Sequence, residues 1–352
     1  MRKHVFRVAR ILGLSLSLAL AACGGGGGGS GTPAPVVDTP SAKPIASFAR
    51  GADVGWVSAE EAAGYRFRDA ANNVTDAFAL LQGSGINAVR LRVWVNPADG
   101  WNGLDDVLAK ARRAAALGQR IMIDFHYSDT WADPGHQTKP AAWASHDYAA
   151  LKNDVYTHTR DVLSALKAAG IAVEWVQVGN EINSGMLWPD GSYQHFDQLA
   201  GLINSGYTAS HEVYPEALVV LHLANGYDDG LYRWFFDAVK TAGAKWDAIG
   251  MSHYPPTSGW LAYNQKIGAT MADVVARYGK PVLVTEVGMD RTQAATARAM
   301  ITDLIGRVAA QGSNGLGVFY WEPLAWPGWQ GYTMGALDES GKLTEAMKAF
   351  VP

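Results

Sequence analysis

The chain has 352 residues, of which 48% are hydrophobic and 18% charged, and its formal charge is −4. That much apolar side chain buries a substantial core in one or two domains. Acidic residues slightly outnumber basic ones, and no Lys/Arg run occurs beyond the extreme N-terminus, so no nucleic-acid partner is expected.

In chain order the first element reads as a processing signal over residues 1–22. Arg2, Lys3, Arg7 and Arg10 form a positive stretch, and Ile11 to Ala22 is apolar but too short for a transmembrane helix. Small residues at Ala21 and Ala22 then precede the single cysteine, Cys23. This resembles the lipobox of bacterial lipoproteins, which implies lipid attachment at Cys23, export, and anchoring to the bacterial membrane at the outer membrane or cell surface. An ordinary signal peptide with an incidental cysteine is the plainer alternative; the glycine run that follows favours the lipobox. Residues 23–44, rich in Gly, Pro, Ser and Thr, lack the apolar surface to fold and read as a flexible tether. The expected folded domain is 45–352. It has no cysteine of its own, which removes disulfides, thiolate metal sites and thiol nucleophiles.

Within that domain eight short β-branched or apolar runs predict strands: Ile45 to Asp53, Ile86 to Val93, Arg120 to His126, Val173 to Gly179, Leu218 to Leu223, Ala248 to His253, Pro281 to Glu286 and Leu316 to Trp321. Between them apolar residues recur three and four apart, as in Val155, Val162, Leu163 and Leu166, which predicts helices with one buried face. Gly118, Gly170, Gly243, Gly279 and Gly312 stand where helices should end in left-handed caps. Eight β/α units in some 300 residues predict an α/β fold, a (β/α)₈ barrel. A doubly wound open sheet is the rival, but no glycine-rich phosphate loop follows the first strand.

The strand ends carry polar and aromatic residues that a barrel would gather at one mouth. Glu181 ends the fourth run and Glu286 the seventh. Either alone reads as a strand-end acid in an ion pair; across a barrel they fit the paired carboxylates of glycoside hydrolysis. If one is ionised, its charge keeps the other protonated. Arg90 and Arg92 share one face of the second strand, where a guanidinium can hold a nucleophile ionised or serve as a structural ion-pair partner; the spacing does not decide which is nearer. Asp53 ends the first strand. The segment from Asp124 to Pro134 supplies His126, Tyr127, Asp129 and Trp131 as groups to bond sugar hydroxyls. His126, His222 and His253 stand on different strands without ligand spacing, so neither metal nor cofactor is expected. Of thirteen tryptophans, those after strands (Trp56, Trp94, Trp131, Trp188, Trp321, Trp326, Trp329) suit sugar rings, Trp321 best. Trp175, Trp234 and Trp246 fall inside helix or strand patterns and read as core.

On these residues the sequence resembles glycoside hydrolase family 53, the arabinogalactan endo-β-1,4-galactanases. The motifs are Gly51 to Val54, Val89 to Pro97, Asp124 to Pro134, Val176 to Ile182, Ser252 to Pro255, Thr285-Glu286 and Val318 to Pro323. The resemblance implies a retaining endo-hydrolase of β-1,4-galactan, with Glu181 as acid/base, Glu286 as nucleophile, Asn180 on the sugar 2-hydroxyl, Tyr254 near the nucleophile and Trp321 beneath the cleaved sugar. It departs from the family at Gly55 and Trp56, where serine is usual, and at His253, where tyrosine is frequent. The calcium loop of some relatives is not carried over, since residues 288–296 hold one acid, Asp290. A monomer is expected. The residues leave open another barrel endo-glycanase, a β-mannanase or cellulase, and a non-catalytic surface glycan-binding protein, although the latter would be expected to lack one carboxylate.

Overall fold

A computed structural model describes residues 48–352; the expected signal segment, tether and Cys23 attachment point lie outside them. Eight parallel strands close into a barrel in sequence order: β1 (Ala49–Asp53), β2 (Ala88–Val93), β3 (Arg120–Phe125), β4 (Trp175–Val178), β5 (Leu218–Leu223), β6 (Ala248–His253), β7 (Val282–Val287) and β8 (Gly315–Tyr320). β1 pairs with both β2 and β8, which completes the ring.

Helices fill the crossovers. They are α1 (Val57–Ala62), α2 (Ala77–Gly83), α3 (Leu104–Ala116), α4 (Tyr148–Ala168), α5 (Phe196–Val213), α6 (Asp229–Thr241), α7 (Trp260–Tyr278) and α8 (Ala294–Ala309). The eighth strand is followed by a 3₁₀ segment, Glu345–Phe350, in place of an α-helix; it buries Ala346, Met347 and Phe350. The five expected cap glycines all take positive φ, between 61° and 83°. Among the described residues no helix is long and apolar enough to cross a membrane.

Inside the barrel the lower layer takes one residue from each strand: Ala49, Ala88, Met122, Trp175, Val220, Ala248, Leu283 and Phe319. Trp175 and Phe319 meet edge to face at 5.9 Å. Their bulk opposes alanines on β1, β2 and β6, so large and small side chains fill the bore together.

Two core expectations hold and one does not. Trp175 and Trp246 are buried, whereas Trp234 is 44% exposed. The reason is periodicity: α6 buries Tyr232, Phe235, Phe236 and Val239, a stripe three and four apart that residue 234 does not join.

Candidate active site

Two residues above the apolar layer, the same inward faces become polar. β2 shows the change in one strand, with Ala88 below, Arg90 in the middle and Arg92 at the mouth. Arg90 is 1% exposed. Its guanidinium meets Asp53 at 2.5 Å, Asp124 at 2.8 Å and Glu286 at 3.0 Å, and donates to Gln177 at 3.1 Å and Asn180 at 2.7 Å. A planar five-donor fork suits this arrangement; an ammonium does not. Although burial pushes the Asp124 carboxyl up, Arg90 and His126 together hold it below the usual range.

Glu286 reaches the interior through a bulge. β7 pairs with β6 as Met251 with Val284 and then Ser252 with Glu286, leaving Thr285 as an extra residue. Strict alternation would aim 283 and 285 inward and 286 outward. The bulge restores Glu286 to the inner face, where Tyr254 Oη donates to its Oε2 at 2.9 Å.

Glu181 arrives by a different route, one turn past β4. Gly179 and Glu181 both have positive φ, 84° and 45°. Tyr127 (50°), Asn225 (58°) and Glu322 (47°) share that left-handed strain after their strands. Ser252 Oγ bonds Glu181 Oε1 at 2.6 Å, and His222 Nε2 lies 2.8 Å from the same hydroxyl. Burial and the nearby Arg90 charge keep His222 well below its usual pKa, hence neutral.

Burial raises both glutamates above the ordinary carboxylate range: Glu286 to about 8, with Arg90 opposing and the Glu181 charge adding, and Glu181 with the Ser252 hydrogen bond and Arg90 opposing and the Asp133 and Asp124 charges adding. Each carboxylate thus opposes ionisation of the other. Burial ranks Glu286 as the harder to ionise, but direct contacts rank them the other way. Glu286 touches a guanidinium and a phenol, while Glu181 touches one hydroxyl. Charge-assisted contact favours the anion on Glu286 and the shared proton on Glu181.

A cavity of about 490 Å³ holds both glutamates together with Asn180, His126, Trp131, Tyr254 and Trp321. His126 Nδ1 accepts from Trp94 Nε1 and Ala132 N, both at 3.2 Å. Its Nε2 therefore faces Asp124, at 3.1 Å, as the donor. Arg90 and Asp53 lie beneath the cavity, not in its lining. Arg92 faces Glu322 at 2.8 Å, so the arginine in contact with Glu286 is Arg90. Tyr127 is 1% exposed and its hydroxyl bonds Thr159 at 2.7 Å, while Asp129 clamps backbone N–H groups of Asn96 and Ala141 at 2.9 and 2.8 Å. Neither lines the cavity. His253 turns away to bond Asn264 at 2.8 Å. Sequence reasoning missed Ser252 and Tyr332, which do line it. Alternation from Ala248 through Gly250 could have pointed to Ser252; nothing comparable marks Tyr332.

Among the described residues no three His, Cys, Asp or Glu side chains are grouped as metal ligands. The carboxylates of Asp53, Asp124 and Glu286 converge on Arg90, whose guanidinium fills the space between them.

Two carboxyls facing one indole-walled cleft at a barrel mouth define a glycoside hydrolase. The chain belongs to glycosyl hydrolase family 53, whose model matches residues 49–350. It is 35% identical over 303 residues to a protein of Neosartorya fischeri named probable arabinogalactan endo-beta-1,4-galactanase A, covering 79% of this chain and 84% of that one. It is 34% identical to the arabinogalactan endo-beta-1,4-galactanase of Thermothelomyces thermophilus, over 79% and 89% of the two chains. Among solved structures, a fungal beta-1,4-galactanase superposes with a TM-score of 0.79 at 32% identity, over 86% of this chain and 98% of that one. The family 53 catalytic domain of Ignisphaera aggregans gives 0.79 at 30%, over 87% and 96%.

Proposed function

We propose that this protein cleaves β-1,4-galactosidic bonds within galactan chains, with retention of anomeric configuration. The observation that carries the reading is the shared cavity: Glu286 touches Arg90 and Tyr254, and Glu181 stands in the same hollow without a cation of its own. In the first step Glu286 attacks the anomeric carbon while Glu181 gives its proton to the departing oxygen, forming a glycosyl-enzyme. In the second step Glu181, now a carboxylate, takes a proton from water, which displaces Glu286. A neutral His222 behind Ser252 suits this cycle, since it brings no positive charge that would strip the acid of its proton. Asn180 is assigned to the sugar 2-hydroxyl, and Trp321 and Trp131 to the ring faces. The choice of galactan rests on the curated family 53 relatives, whose names specify that activity.

The test is a comparison of reducing-sugar release from β-1,4-galactan, mannan, cellulose and xylan, with the first-formed anomer read by NMR. Galactan should be cut fastest, with oligosaccharides before galactose and with the β-anomer first. Faster mannan or cellulose cleavage would move the protein to another barrel glycanase, and an inverted anomer would overturn the two-step mechanism. We further propose export and lipid anchoring through Cys23. Cys23→Ser should then move the activity from the membrane fraction to the soluble one, and absence of fatty-acid label on the unaltered chain would refute it.

A further inference from the structure

Arg92 stands above Arg90 on the inner face of β2, yet it is not in the lining of the cavity that holds the two glutamates and lies against four indoles. Its guanidinium carbon is 4.4 Å from the centre of the Trp131 ring, 5.5 Å from Trp56 and from Trp94, and 6.0 Å from Trp321. Those rings follow four different strands, β3, β1, β2 and β8. The side chain is 1% exposed, and its nearest anion is Glu322 at 2.8 Å, ahead of Asp53 at 3.8 Å. Nε, Nη1 and Nη2 lack well-directed hydrogen bonds to any acceptor. A planar cation in that position is held by ring faces and one carboxylate, and it fixes them in return.

Gly55 completes the seat. A Cβ there would stand 2.3 Å from the Arg92 guanidinium carbon. The surrounding rings leave that group little room to retreat, because Trp56 packs on Trp321 at 5.2 Å, Trp94 on Trp131 at 5.2 Å, and Trp131 on Trp321 at 5.9 Å. Displacing one ring therefore displaces its neighbours.

We propose that Arg92, seated on Gly55, is a positioning residue: it fixes the aromatic wall on which the sugar chain lies and does not itself touch sugar. Trp131 and Trp321 line the cavity that holds the two glutamates, and with Trp56 they also line a second hollow of about 310 Å³ beside Gln330, Gly331 and Tyr332. The wall thus runs from the cleaved bond to a point further along the polymer. The proposal rests on the assignment of these rings to the substrate, so its effect should grow with chain length.

The experiment compares Arg92→Met, Arg92→Lys, Gly55→Ala and Trp131→Ala on short and long β-1,4-galacto-oligosaccharides. Circular dichroism would establish the native fold first. Arg92→Met and Gly55→Ala should each lower kcat/KM about tenfold or more on the long substrate, mainly through KM, and less on the short one. Arg92→Lys, which keeps the charge without the planar stack, should fall between Arg92→Met and the parent. Combining Arg92→Met with Trp131→Ala should add little to Trp131→Ala alone. Gly55→Ala retains every interacting group, so it reports on the wall even if Arg92→Met fails to fold. Equal losses on both substrates, or none in a folded variant, would overturn the proposal. If Trp131→Ala discriminates by chain length and the Arg92 and Gly55 variants do not, only the positioning role is lost. If Trp131→Ala leaves both substrates unaffected, the assignment of the wall to sugar falls as well.

Discussion

The lower and upper halves of the barrel bore are built from the same eight strands, and they hold together in opposite ways. Below, Ala88, Trp175, Leu283 and Phe319 pack together in one apolar cluster, with the Arg120 guanidinium 4.5 Å from the Trp175 ring as its charged neighbour. Above, Arg90 and Gln177 two residues along, and Glu286 three along through the bulge at Thr285, each depend on named polar partners. A dry layer tolerates most apolar side chains of the right volume, whereas a buried ionic layer tolerates only a complete set. Removing one partner there strands the others in a medium that cannot solvate them. The difference teaches why function sits at one end: the apolar half keeps the strands in register, and the register aims the charges.

The sharpest break in this comparison is Glu286→Ala. It should abolish turnover on every substrate while leaving the circular dichroism spectrum native, since without the proposed nucleophile no glycosyl-enzyme forms. Glu181→Ala should cost about 10²- to 10⁴-fold on galactan. With a dinitrophenyl galactoside the first step should survive, and azide should yield a β-galactosyl azide; an α-azide would reverse the assignment. In the lower half, Trp175→Ala should cost about 3–5 kcal/mol in urea denaturation. Turnover per folded molecule should stay close to the parent at 25 °C. A kcat loss matching that of Glu181→Ala would show that the two halves are not separable.

The smallest expected effect lies beside the upper layer, at Glu60 of α1. It is fully buried, accepts from Trp326 N at 2.8 Å, and leaves its Oε2 without a partner. Burial raises its pKa from 4.5 to about 8. The folded state therefore binds this proton more tightly than the unfolded chain. The contribution is fully present below the unfolded value and is lost as pH rises from about 4.5 to 8. Glu60→Gln should flatten the fall in stability over that window, read as urea midpoints at several pH values. An unchanged slope would show that Glu60 is not the titrating group.

The strands and their ends were legible because burial on both faces leaves long apolar runs that stop where the chain meets the cleft. The start of β2 at Ala88 differs by two residues from the expected Ile86. What was not legible depends on backbone geometry that side-chain type does not encode. The Thr285 bulge decides that Glu286 faces inward, yet its residues look like any strand. Tyr127 follows an inward His126 and adopts positive φ, after which alternation no longer says where a side chain goes. Asp129 belonged to a segment rich in sugar-bonding groups, but its oxygens hold two backbone amides across the loop. Arg90 and Arg92 share a face and could not be separated by spacing; their partners separate them, three carboxylates for one and four indoles for the other.

The left-handed residues Tyr127, Glu181, Asn225 and Glu322 all follow barrel strands on the catalytic side. Each non-glycine residue held this way costs about 1–3 kcal/mol, and glycine would relieve much of it. A thermostability selection blind to turnover would therefore be drawn to Glu181, where it would reward the loss of the proposed acid. At that position the strained backbone and the proposed chemistry belong to one residue, and a stabilising library should leave it unchanged.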